Sequence, residues 1–510
     1  MNPATSDGPI SRRRYLLRWV GSVLAVLAAL GMLCWGIENY RGRRAWEACR
    51  RELLAAGEKL DLADFVPAPV PDEQNFAMTP LLASVSAPRA DAAPTNTGAR
   101  GYDTNAVERA RALGRLVGTP LTKEDGREFR HILDLPRRAV AMDRRVGRTN
   151  ATPPDWAAAA RQILAGLAPA EAALSELRAA APRPYARFDI RYGDGANTRL
   201  AHLSILKDIA NVAQLRAVAE LELGRTDDAL ADLAIIRRVG EALKTDPFSV
   251  AGSVRVTIVQ IELQALWEGL ATHRFNESQL GILQTNLADR NLLANYVFCL
   301  RAERAQCNES FSKLRRKTRS AKDFAGEDAG PEVGLMPAGW VYQNQAMINR
   351  LFQEMTAVDT VGGRLDPRRF ARDSALQKQL AGFTPYEGVT RQFFRLFNNV
   401  VIKFAYGQAS VDQAVIACAL ERHRLARGRY PANLAELAPR FLATLPTDLV
   451  NGEPLHYRLL RPDHFQLYSV GWNLLDDGGV TGETKTDEHG VRYPNLGNGD
   501  WVWDNQPVAP

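Results

Sequence analysis

The sequence predicts a mainly α-helical chain: an N-terminal transmembrane helix, an α-helical body and a small C-terminal α+β domain. Three observations carry that expectation. No charged residue interrupts Trp19 to Ile37, and apolar residues recur at helical spacing from about Asn105 to Asn308. Beyond Gly452 the pattern changes to short alternating runs, His456-Tyr457-Arg458 and Phe465-Gln466-Leu467-Tyr468-Ser469, which read as two strands.

The apolar run WVGSVLAVLAALGMLCWGI is long enough to cross the hydrocarbon core, and Trp19 and Trp35 sit near its ends, where amphipathic rings prefer the interface. A cleaved signal peptide is the rival reading, but Glu-Asn-Tyr-Arg follows Ile37 in place of a small-x-small site, and Leu33 precedes Cys34 in place of the small residue of a lipoprotein. Arg12, Arg13, Arg14 and Arg18 precede the span, and Arg41, Arg43, Arg44, Arg50 and Arg51 follow it. The positive-inside rule is nearly balanced, and the short basic tail favours a body outside the cytoplasm at a bacterial inner membrane. Ser11-Arg12-Arg13-Arg14-Tyr15-Leu16-Leu17 also resembles a twin-arginine export motif; the alternative is that these arginines only set orientation.

The expected division is a tail at 1–14, the span at 15–37, a juxtamembrane helix and Pro-rich linker at 38–104, a helical domain at 105–390 and an α+β domain at 391–510. Trp46, Cys49 and Leu53 share one face of a helix that continues the anchor into water. Pro67, Pro69 and Pro71 force an extended linker, and 84–101, rich in Ala, Pro, Thr, Asn and Gly, reads as a loop. Pro153 and Pro182 to Pro184 bracket one helix. Leu200 to Lys244 forms a hairpin: Leu203, Leu206, Ile209, Ala213, Leu215 and Val218 precede Gly224, which can cap the first helix, and Ala229, Leu230, Leu233 and Ile236 follow it. Ala217, Leu221, Gly224 and Ala229 stand where a tetratricopeptide hairpin places them, and the segment resembles one such unit, occurring once. Six cations in Lys313 to Lys322 read as a solvated helix end, with anionic lipid as the alternative.

Arg391 to Arg427 reads as a long helix with Val411, Val415, Cys418 and Ala419 on one face and Gly428 closing it. Tyr430-Pro431, Leu445-Pro446-Thr447-Asp448, the two strands, then Trp472 to Gly479 and Asn498-Gly499-Asp500-Trp501 complete the ending. This order resembles the globular half of a type II secretion major pseudopilin, which places a long helix before a short sheet and closes on a calcium-binding loop. The helix here lies mid-chain and contains Arg395, Asn398, Asn399 and Lys403, a departure from the processed apolar segment of that family. The whole chain is also similar to a family of uncharacterised bacterial single-pass membrane proteins that share this ending and the segment around Asp72 to Met78; that resemblance implies no activity.

Chemistry enters as one expectation. Asp476 and Asp477 precede Gly478 and Gly479, which permit a turn, and Asp500 can return to it, with carbonyls near Leu475 completing an oxygen shell for calcium. The alternative is a solvated acidic turn in which Asp477 caps the chain reversal; the pseudopilin resemblance favours calcium. From Asp448 to Pro510 the chain carries −6, leaving +12 elsewhere against a total of +6. Arginine far outnumbers lysine, a pattern that nucleotide composition also produces, so no nucleic-acid partner is expected. Five dispersed cysteines, with no Cys-x-x-Cys and no zinc spacing, exclude a disulfide framework. No Gly-x-Ser-x-Gly, phosphate-binding loop, Gly-x-Gly-x-x-Gly or His-Glu-x-x-His occurs, and His423 and His456 read as structural. The expected function is a membrane-anchored, protein-binding envelope scaffold rather than an enzyme. The alternatives are an accessory of a secretion or pilus-like system, and a hydrolase using carboxylates such as Asp189, Asp194 and Glu220.

Overall fold

The computed structural model describes residues 10–86, 104–117, 130–145, 147, 152–192, 198–316, 337–370, 388–486 and 492–506. Helix accounts for 65% of the structure and strand for 7%, so the chain is mainly α.

The first helix, α1 (Ile10–Ala55), is unbroken. At 1.5 Å per residue it runs about 69 Å, more than twice the ~30 Å hydrocarbon core. Its apolar window, of mean hydropathy 2.2, is unburied by protein. One helix is thus long and apolar enough to span a membrane, and its remaining length belongs to the body. From Glu38 onward α1 packs against α12 (Ala338–Met355). Two glycines make the crossing. A Cβ on Gly42 would overlap the Gly339 carbonyl, and one on Gly339 would overlap the backbone of Glu38 and Asn39. Asn39 Oδ1 accepts the Gly339 amide at 2.7 Å, satisfying one of the orphan amides of the first turn of α12 from another helix. Below the crossing Trp46, Cys49 and Leu53 cover Ala346 and Leu60, as their shared face requires. Glu58, just past the end of α1, accepts from Arg301 and from the fully buried Arg304, both on α11 (Leu292–Arg315).

The expected Pro-rich linker is part of the core. It is extended at Pro67 to Pro71, but Phe76, Ala77, Leu81 and Leu82 are almost fully buried in the main apolar cluster, and Pro80–Ser86 forms α2. Asn75 locks it in place by imitating a backbone unit: its Oδ1 accepts the Arg187 amide at 2.8 Å and its Nδ2 donates to the Arg187 carbonyl at 2.8 Å. Residues 87–103, most of the expected loop, lie outside the described residues.

In chain order follow α3 (Thr104–Val117), α4 (Leu135–Arg145), α5 (Trp156–Leu167), α6 (Glu171–Ala180), α7 (Ala201–Glu222), α8 (Thr226–Glu241), α9 (Ser249–Ala271) and α10 (Glu277–Ala288). The single helix expected between the flanking prolines is two, α5 and α6, separated at Ala168–Ala170, where Pro169 lacks the amide to continue the ladder. The α7–α8 hairpin turns where expected: Gly224 has φ +72° and Arg225 N donates to the Glu220 carbonyl at 2.8 Å. Of the Lys313 to Lys322 run, Lys313 pairs with Glu309 and Arg315 lies over the Tyr342 ring; 317–322 lie outside the described residues.

The long C-terminal helix, α13 (Gly388–Arg427), packs on α9, α10, α11 and α12 as well as on the sheet. Gly428, with φ +74°, closes it. One contiguous cluster runs from Phe76 to Trp503, so the expected boundary near 390 is not a break in packing. The sheet holds β1 (His456–Arg461), β2 (His464–Ser469) and β5 (Trp501–Asp504) in antiparallel order β1-β2-β5; β3 (Thr484–Thr486) pairs with β4 (Arg492–Pro494) beside it. The outer edge of β5 is closed by helices: Gln413 Nε2 donates to the Trp501 carbonyl at 2.6 Å and Trp267 Nε1 to that of Asp504 at 2.7 Å. A buried knot joins the same elements. Burial alone would raise the Glu421 carboxyl, but His273 Nδ1 at 2.8 Å, Arg424 and the Tyr430 hydroxyl hold it down at about 2.

Two outcomes follow from these contacts. Gly339→Ala should lower thermal stability in detergent by about 1–3 kcal/mol, because the new Cβ meets backbone that has no rotamer to yield. Gly36→Ala, whose Cβ meets nothing within 4 Å, is the control and should not lower it. The depressed Glu421 pKa gives stability that is complete above about pH 4.3 and lost as pH falls toward 2. Glu421→Gln should therefore cost about 3 kcal/mol at pH 7, with a gap to wild type that narrows between pH 4 and pH 2 in denaturant titrations.

Candidate functional site

The acidic ending folds around one buried carboxylate. Asp500, 2% exposed at the start of β5, returns to the turn as the sequence suggests. Its Oδ1 accepts the Asp477 amide at 3.2 Å and its Oδ2 the Gly479 amide at 2.6 Å. Gly478 and Gly479 take φ +73° and +77°, the left-handed region that allows both amides to face inward. Burial raises the Asp500 carboxyl, and the Gly479 and Asp477 amides offset part of that rise.

Asp476 and Asp477 share the loop with Asp500 and point their carboxylates elsewhere. Asp476 Oδ1 accepts from the Gly478 amide at 2.9 Å and from the Tyr468 hydroxyl at 3.2 Å. The Gly478 amide is the main reason its carboxyl lies below the usual range. His456, stacked on Tyr468 with centroids 4.8 Å apart, places Nδ1 3.6 Å from Asp476 Oδ2. Asp477 Oδ2 accepts from Asn473 Nδ2 at 2.9 Å. All three aspartates thus meet in one loop, each engaged by protein donors. Among the described residues no group of three acidic, histidine or cysteine side chains is placed to hold a metal, so the fit to calcium requires Asp500 to release its amides.

A second buried carboxylate, Asp448, was visible in the sequence only as part of a motif. Its Oδ1 accepts from the Ser469 hydroxyl at 2.9 Å and its Oδ2 from the Val470 amide at 3.0 Å, fixing the exit of β2 toward the loop. Of the other carboxylates considered, Asp189 is exposed, Glu220 pairs with Arg225 at 3.3 Å, and Asp194 lies outside the described residues. His423 Nδ1 donates to the Arg429 carbonyl at 2.9 Å, as a structural histidine does.

Between the loop and the helical body lies a cavity of about 160 Å³. Arg130 forms part of its wall, its guanidinium 4.1 Å over the Trp503 ring. Nothing in the local sequence around Arg130 distinguishes it from the chain's many other arginines; only the fold brings it to Trp503.

Asp500→Ala should leave two part-buried amides without their acceptor and cost about 1–3 kcal/mol in thermal or denaturant unfolding. Repeating the titration with millimolar calcium tests the cation expectation: calcium that raises the stability of wild type but not of Asp477→Ala or Asp500→Ala supports it, and equal curves leave the hydrogen-bonded loop alone. Comparison with protein-family models, curated proteins and solved structures finds no match for this chain.

Proposed function

We propose that this chain is a membrane-anchored envelope scaffold that presents its C-terminal sheet to protein partners outside the cytoplasm. The observation that carries the reading is the continuity of α1, which joins an apolar, unburied segment to a helix docked in the core. A body attached in this way is held at one distance and one tilt from the bilayer, which suits a platform. The buried thiols support a non-enzymatic role: burial pushes the Cys418 thiol up to about 12, and it raises Cys299 and Cys307 as well. Leu459 and Leu460 on β1 and Leu475 and Val480 in the acidic loop are exposed, which supports partner contact at this end.

The order of α13 and the antiparallel sheet favours a second reading, an accessory of a secretion or pilus-like apparatus, in keeping with the pseudopilin resemblance. The same loop would then be the calcium site.

Protease added to spheroplasts should digest the body while full-length protein stays in the membrane fraction of untreated cells. A body digested only in inverted vesicles would contradict the orientation. In intact cells, a photocrosslinker at Leu460 should give a discrete adduct that Leu459→Asp abolishes, and one at Trp156 should not. Adducts with secretion components would favour the second reading.

A further inference from the structure

Among the described residues Arg130 is a buried cation with no acidic partner. It is 8% exposed, and within the same residues its Nε and Nη1 have no hydrogen-bond partner. The face of the guanidinium is taken by Trp503, so its remaining capacity lies at the edge. Burial lowers its pKa to about 10, which still leaves it charged at neutral pH. A buried charge without a counter-ion is among the most costly arrangements in a protein interior. It is retained in natural chains where it serves binding or catalysis.

The cavity beside it has the chemistry to answer that charge. Trp501 and Val502 give apolar wall, and Asn495 and Asn498 give amide side chains. Asp500 and Asp504 also line it; both Asp500 oxygens are held by the loop amides, and Asp504 Oδ1 by His464 at 2.8 Å and by the Gln506 amide at 2.9 Å. Their negative charge still bears on what can enter. A phosphate dianion would meet two carboxylates against one guanidinium, whereas a single carboxylate would meet a planar donor matched to its shape. Volume restricts the ligand further. At about 160 Å³ the cavity is small beside the ~300 Å³ where ordinary cofactor pockets begin, which favours a small ligand.

We propose that this cavity is a binding site for a small monocarboxylic acid with a short apolar tail, its carboxylate paired with the Arg130 guanidinium above Trp503 and its tail against Trp501 and Val502. Its lining does not include Leu459 or Leu460, and the site does not depend on the scaffold reading. Occupancy would supply the missing counter-ion where α9, α13 and β5 meet, so the ligand would stiffen the attachment of the sheet to the body.

Full-length protein in detergent, titrated with sodium butyrate, acetate, phosphate or chloride at matched ionic strength, tests this. Butyrate should raise the melting temperature in a saturable way, acetate less, and phosphate no more than chloride. Arg130→Gln should weaken butyrate binding by calorimetry at least tenfold, and in the absence of any carboxylate it should melt at or above the wild-type temperature, because it removes an unanswered buried charge. Val502→Phe, which fills the cavity and keeps Arg130, should also lose the butyrate effect. If butyrate acts no differently from chloride, or acts equally on Arg130→Gln, the proposal is overturned. It is overturned as well if Arg130→Gln melts below wild type without ligand, since the guanidinium would then already have a partner within the chain.

Discussion

Two glycines on helices some 300 residues apart in sequence decide how the long apolar segment of α1 joins the body. Gly42 and Gly339 bring the backbones of α1 and α12 into contact that no side chain would allow, and Asn39 seals the crossing by capping α12. Helices that approach this closely gain dispersion over their whole contact, at the entropic cost of two flexible residues. Everything nearer the C-terminal end of α1 follows from that contact. Trp46, Cys49 and Leu53 reach their partners because the crossing fixes the helix rotation, and Glu58 arrives where Arg301 and Arg304 need a carboxylate. The helix that is long and apolar enough to span a membrane continues without a break into the body.

The other end of the molecule is organised by α13. Its 40 residues pass from the α12 side of the body to the sheet. Gln413 and Trp267 close the edge of β5, and Glu421 gathers His273, Arg424 and Tyr430 in one buried knot. The sheet is therefore integrated with the helices. The acidic loop obeys the same economy, since Asp500 holds the turn through backbone amides and leaves Asp476 and Asp477 on its rim.

What the sequence revealed and what it concealed divide along the range of the interaction. The apolar run of α1, the Gly224 turn, the amphipathic α13 with Gly428 after it, and the alternation of β1 and β2 are local patterns, and each lies where the pattern places it. Asp500 could be paired with the 476–479 turn because the glycines marked that turn. Contacts between distant segments left no such trace. Nothing in the sequence beside Asn75 points to Arg187, which it holds from 112 positions away. Pro67, Pro69 and Pro71 announce extended backbone but not the burial of Phe76 that follows. Pro169 divides the helix expected between Pro153 and Pro182 by a local cause, its missing amide. Arg130 is the clearest case: one arginine among many, made singular by Trp503 more than 370 positions away.

The central claim is that span and body form one rigid unit, and a distance across the junction tests it most directly. Spin labels at Leu27 in the span and Ile282 on α10, both exposed, can be introduced as cysteines with Cys34 replaced by alanine, since the other native cysteines are buried. In lipid nanodiscs, pulsed electron resonance should then give one narrow distance distribution. A broad or multi-peaked distribution that is already present in the wild-type background would mean that the body swings on its anchor, and would contradict the claim.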